Sequence, residues 1–131
     1  MRNLTYIFFA TFLILSQVAL GQQPKVDEKI KTTPEIVDIG EVGRTKSFSF
    51  YLHNLTETPV VIKEIEATCG CTRVSHSKKP IMPQDSTKLT LKYTADKDDV
   101  GVFYKTITIY TTADEKPLKV SVRGTNKPKN N

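Results

Sequence analysis

The stretch GVFYKTITIY, Gly101 to Tyr110, puts Phe103, Ile107 and Ile109 on one side of an extended chain and Tyr104, Thr106, Thr108 and Tyr110 on the other. A period of two means a strand with one dry face and one wet face. The same alternation recurs on either side in the sequence. Phe48, Phe50 and Leu52 alternate with Ser47, Ser49, Tyr51 and His53; Leu89, Leu91 and Tyr93 with Lys88, Thr90 and Lys92; Leu118, Val120 and Val122 with Lys119, Ser121 and Arg123. No segment shows the i, i+3, i+4, i+7 recurrence that a packed helix needs. Between the runs lie breaks rich in turn-forming residues at Gly40–Gly43, Asn54–Pro59, Pro80–Ser86, Ala95–Gly101 and Ala113–Pro117. With short segments near Ile36 and Thr72, this predicts an all-β, immunoglobulin-like antiparallel β-sandwich of about seven strands. A closed barrel is the alternative, and short strands without a glycine pattern for closure favour the sandwich. In Val60–Ala67 the alternation changes parity, which predicts a bulge near Lys63 and Glu64.

The ends of the chain read differently. Met1-Arg2-Asn3 is a basic start, Leu4–Leu15 an uncharged apolar run, and Ala19-Leu20-Gly21 supplies small residues suited to a signal peptidase. Residues 1–21 are therefore expected to be a cleaved signal peptide; the apolar run falls short of the roughly 20 residues that span a bilayer. Gln22–Thr33 reads as a flexible leader, residues 34–125 as the folded domain, and Asn126–Asn131 as a disordered tail. The expected product is periplasmic or secreted, soluble, and not membrane-spanning after cleavage.

The formal net charge of +5 over 131 residues is modest, and Lys78-Lys79 is a lone doublet. That spacing makes no nucleic-acid footprint, so no nucleic-acid partner is expected. No Trp is present, and the two cysteines are neighbours rather than an inter-sheet pair around a core Trp.

Cys69-Gly70-Cys71 is the one concentration of reactive side chains. Residues two apart in a strand stand roughly 6.6 Å apart at Cα, near the limit for a disulfide. Gly70 can tighten the chain enough to close one. Three readings stand: a local packing turn, a redox or thiol-exchange site made easier to reduce by ring strain, and a soft-metal site formed by Cys69, Cys71 and His76. Stable tetrahedral sites usually take four ligands, and the remaining histidine, His53, reads as a solvent-facing strand residue. Asp98-Asp99 reads as a polar turn and Glu64/Glu66 as a wet strand face; no nucleophile elbow or phosphate loop is present. Two short modification patterns occur, Asn54-Leu55-Thr56 and Asp85-Ser86-Thr87; the second makes Ser86 a glycosylation candidate. No cofactor and no catalytic residues are expected. The leading expectation is a non-enzymatic module that binds a protein or cell-envelope component through an exposed sheet edge. The thiol or metal site is the second reading, and a cell-wall hydrolase a weaker third.

Taken in order, Cys69-Gly70-Cys71-Thr72, Pro80-Ile81-Met82-Pro83 and Gly101-Val102-Phe103-Tyr104-Lys105-Thr106 resemble the bacterial domain-of-unknown-function family 1573. Ile39-Gly40-Glu41-Val42 resembles that family's opening strand and turn, Asn54 the Asn that ends its second strand, and Gly124 the Gly that ends its last. Two positions depart from the family pattern: Gln84, where Gly is usual, and Thr111-Thr112, where an Asn is common. The resemblance implies an immunoglobulin-like sandwich in exported proteins of Bacteroidetes and related bacteria, similar in shape to the domains of pilus chaperones and ciliary proteins. It implies no established activity.

Overall fold

A computed structural model describes residues 28–68 and 72–128, and of Thr72 and Arg73 only the backbone. Eight strands follow one another along the chain: β1 (Ile30–Thr33), β2 (Ile36–Val42), β3 (Thr45–Asn54), β4 (Ile62–Ala67), β5 (Thr72–Ser75), β6 (Ser86–Thr94), β7 (Gly101–Thr111) and β8 (Leu118–Asn126). They form two four-stranded sheets, ordered β1-β3-β6-β5 and β2-β8-β7-β4. The chain leaves the first sheet for the second at the cis Thr33-Pro34 bond, and β2 then runs parallel to β8. Every other neighbouring pair is antiparallel. This is the strand arrangement of an immunoglobulin-like sandwich, with the first strand divided between the sheets.

The alternation read from the sequence produces the core. Phe50, Leu52, Leu89, Leu91, Ile107, Ile109 and Val120 are all 1% exposed or less. Each such aliphatic or aromatic side chain contributes about 1.5–3 kcal/mol by leaving water. The expected bulge is present: the pairing of β4 with β7 shifts between Ile62 and Glu64.

Several boundaries differ from the sequence reading, each for a local reason. Ile30–Thr33, expected in the leader, is β1; Ile30 and Thr32 are buried while Lys31 stays outside, an alternation too short to stand out by periodicity. Asn126, expected to open the tail, ends β8 and is buried, where its Nδ2 donates to the Tyr93 hydroxyl oxygen at 3.0 Å. Gly40 is not a turn residue. It lies within β2 at φ +63°, where the register against β8 shifts. His53 is half-buried rather than solvent-facing, because β1 pairs along β3 there and sets Lys31 beside it. Its Nε2 is buried without a hydrogen-bond partner among the described residues.

Asn54 anchors the opposite end of the sandwich from Asn126. It is fully buried, and its side chain makes four hydrogen bonds. Nδ2 donates to the carbonyls of Thr58 at 2.8 Å and Ile81 at 2.9 Å; Oδ1 accepts from the Thr56 N–H at 2.9 Å and the Thr56 hydroxyl at 2.7 Å. Its main chain also receives Gln84 N–H and donates to the Asp85 carbonyl. One amide thus ties the turn after β3 to the turn before β6. With both Nδ2 protons committed in the interior, Asn54 is not available as a glycosylation acceptor.

Gln84 sits in that second turn at φ +60°, in the left-handed region that costs a residue with a Cβ about 1–2 kcal/mol. The same region is open to glycine, which explains physically why glycine is usual at this position in the pattern. Gln84→Gly is expected to raise the unfolding free energy by about 0.5–1 kcal/mol, the relief of strain exceeding the added freedom of the unfolded chain. Urea denaturation with an unchanged slope checks it.

Candidate functional site

The outer face of the second sheet carries an arrangement that packing does not require. β7 starts at Gly101, and from there alternation sends Phe103 inward and Val102 and Tyr104 outward. Val102 is 68% and Tyr104 72% exposed, and Val100, just before the strand, is 63% exposed. The register sets Val102 opposite Thr125 and Tyr104 opposite Arg123 on β8. On the far side of Arg123, Asp38 of β2 accepts a hydrogen bond from Arg123 Nε at 2.8 Å through Oδ2, while its Oδ1 accepts the Gly40 N–H at 2.9 Å. A shallow cleft of about 190 Å³ lies among Asp38, Val102, Tyr104, Arg123 and Thr125.

The electrostatics fix the polar part of this site. The Gly40 N–H first, and then the Arg123 guanidinium, hold the Asp38 carboxyl below the usual carboxylate range. Asp114 is lowered in the same way, first by the Lys116 N–H and with Lys29 nearby. A depressed folded-state pKa contributes stability that is present above the unfolded value and is lost as pH falls through the folded one. Stability is therefore expected to hold from neutral pH to about 5 and to decline below about 4, with a shallower decline in Asp38→Asn. Thermal unfolding followed across pH checks this.

Chemically, the site offers an apolar ridge beside an oriented Arg–carboxylate pair, with no nucleophile among these residues. It suits burial of a partner's apolar or aromatic side chain with polar contacts at its edge. Sequence reasoning assigned Tyr104 to the wet face and passed over Val102. The available signal was the outward register itself: two large apolar residues on the face that alternation gives to water.

The residues singled out from the sequence lie elsewhere. Cys69, Gly70 and Cys71 are outside the described residues, so the thiol and metal readings receive no support from geometry. His76 is half-buried, and its Nδ1–H donates to the Ser77 carbonyl at 2.9 Å. Among the described residues, no group of three His, Cys, Asp or Glu side chains is placed to hold a metal ion. Ser86 begins β6 directly opposite His53, but no hydrogen bond joins the two side chains; its own N–H donates to Asp85 Oδ1 at 2.7 Å.

The sheet order, the divided first strand and the buried inter-sheet core define an immunoglobulin-like domain, similar in fold to PapD-like and MSP-like domains. The family described as "Protein of unknown function (DUF1573)" matches residues 29–126, and the chain belongs to it. No curated protein matches the sequence. Among solved structures, the chain is similar to a protein of unknown function from Porphyromonas gingivalis W83, with a TM-score of 0.65, 14% identity, and coverage of 73% of this chain and 46% of that one. It thus spans less than half of that protein. It is also similar to the ASH/PapD-like domain 7 of human CEP192, with a TM-score of 0.59, 12% identity, and coverage of 78% and 87%. The Vibrio cholerae protease VesB matches with a TM-score of 0.58, 11% identity, and coverage of 76% of this chain and 32% of that one. At these identities the likeness is one of fold. Among the described residues, no helix is long and apolar enough to cross a membrane.

Proposed function

We propose that this chain is an exported, non-enzymatic binding module that docks a protein partner of the cell envelope on the outer face of β7 and β8. One observation carries the reading: Val102 and Tyr104 are the most exposed of the large apolar side chains among the described residues, and they stand at alternate positions beside an oriented Arg123. Soluble domains seldom leave apolar side chains contiguous on a surface unless something covers them. Tyr and Arg are the side chains that most often anchor such contacts. Export, to the periplasm or beyond, is supported by the basic start, the apolar run and the small residues up to Gly21.

The test is capture of envelope proteins by the purified chain. Replacing Val102 by Asp and Tyr104 by Ala together is expected to lower recovery of the captured partner by about tenfold or more, the scale of a lost aromatic anchor. Thermal stability should stay near that of the parent, since both side chains face water. Capture unchanged by the double substitution would contradict the proposal.

A further inference from the structure

The charges of this sandwich are divided between its sheets. The strands β1, β3, β5 and β6 contain no Asp or Glu; Lys31, Arg73, Lys88 and Lys92 hold outward register positions, while Lys46 is on the inward row and its Nζ donates to the Glu41 carbonyl of the other sheet. The strands of the other sheet hold Asp38, Glu41, Glu64 and Glu66 alongside their basic residues. We infer that the outer face of the β1-β3-β6-β5 sheet is a docking surface for an acidic polysaccharide. It lies on the opposite side of the molecule from the Val102–Tyr104 ridge and does not depend on that reading.

The register shows how the face is laid out. Across the sheet, Lys31 lies beside His53 and Ser86; the next outward row holds Thr33, Tyr51 and Lys88. Ser49, Thr90 and Ser75 form a third row, and Ser47, Lys92 and the register position of Arg73 a fourth. Lys88 and Lys92, four residues apart on β6, stand about 14 Å apart along the strand. Between them Ser49 Oγ and Thr90 Oγ1 lie 3.1 Å apart, and beyond them Thr45 and Thr94 form a second hydroxyl pair at 3.3 Å. Acidic groups approach at the rim: Glu35 pairs with Lys31 at 3.2 Å, and Asp85 Oδ1 accepts the Ser86 N–H.

A flat face of spaced ammonium groups with hydroxyl pairs between them matches a polymer that presents repeated anionic groups among its own hydroxyls. Tyr51, 46% exposed beside Lys88, adds a ring on which a sugar can rest. Among the described residues, no aliphatic side chain stands out from this face to enter the acyl region of a bilayer. Charge complementarity and the hydroxyl rows together favour the glycan over the membrane.

The experiment measures retention of the full chain on immobilised heparin, and its retardation by polygalacturonate in a gel, with neutral dextran as control. Binding to both acidic polymers, weakening as salt rises, is expected. Lys88→Glu with Lys92→Glu should reduce affinity at least about tenfold, a change of 1.4 kcal/mol or more. Lys63→Glu with Lys119→Glu, equal in net charge, exposed and on the other sheet, should leave it within about twofold, less than about 0.4 kcal/mol. Lys88→Gln with Lys92→Gln serves if the reversed pair fails to fold, and Tyr51→Ala should weaken binding while the salt dependence persists. The inference is overturned by equal losses in the two reversed pairs, which would mean net charge alone. It is also overturned by no binding to either polymer, or by binding only to vesicles of anionic lipid.

Discussion

Replacing Asn54 by alanine is expected to remove about 4 kcal/mol of stability, the largest effect of any single polar substitution considered. Four hydrogen bonds end on this side chain, which is fully buried. Deleting it removes all four, each worth about 0.5–1.5 kcal/mol net; the Ile81 carbonyl keeps the Val60 N–H and the exposed Thr58 carbonyl keeps the Thr56 hydroxyl, so the loss is that of the bonds themselves. Domains of this size have only about 5–15 kcal/mol in total, so the variant should unfold at markedly lower denaturant or fail to accumulate. Asn54→Asp is the informative comparison. It keeps the shape but turns an oxygen toward two carbonyls that now receive a donor, so it should be nearly as damaging at neutral pH. Equilibrium urea unfolding measures both, and a loss under about 1 kcal/mol for Asn54→Ala would show that the network is not what holds the two turns together.

The second large effect is expected at Gly124. A Cβ placed there would lie 2.7 Å from Phe103 Cζ and 2.8 Å from the Gly40 carbonyl oxygen. Neither neighbour can give way cheaply. Gly40 contributes main chain at the bulge of β2, and the Phe103 ring is stacked on Tyr93 with centroids 4.3 Å apart and planes 18° from parallel. Forcing extra volume into a packed core costs about 1–3 kcal/mol, and Gly124→Ala belongs at the upper end because two rigid contacts are violated at once. Combining it with Phe103→Leu should restore part of the loss, since the ring contact goes while the carbonyl contact stays. The double-mutant cycle should therefore show a favourable coupling of at least about 0.5 kcal/mol. Additive losses would mean that the glycine is not set by the aromatic ring across the strands.

These two positions show how the sequence could and could not be read. Alternation in β3, β6, β7 and β8 is long enough to declare the strands and their dry faces, because each run has three or more apolar residues at period two. β1 escaped because four residues, IKTT, hold only one apolar side chain. That omission carried over to His53, whose partial burial comes from the strand beside it. Asn54 was visible as the start of a turn, a modification pattern and a position of the resembled family, and Gly124 only as the last of these; what they do depends on contacts across 27 residues of sequence to Ile81 in one case, and on the direct pairing with Phe103 in the other. Periodicity within one segment carries neither. Gln84 is intermediate: its departure from glycine was apparent, and the backbone angle supplies the reason that glycine is usual there.

The candidate site was less legible than the fold. Attention to reactive side chains led to Cys69, Cys71, His76 and Ser86, whereas the surface ridge consists of Val102 and Tyr104, unreactive residues whose only unusual property is exposure. Exposure is a tertiary property. It required knowing that β7 lies between β8 and β4 with its outer face uncovered among the described residues.

The most direct test of the account is photo-crosslinking in the native envelope, with a photoreactive amino acid placed at Tyr104 and, as control, at Thr90 on the opposite sheet. The ridge predicts one discrete protein adduct from position 104 and none from position 90. No adduct from position 104, or the same adduct from both positions, would contradict the assignment of the outer face of β7 and β8 as the surface on which a protein partner docks.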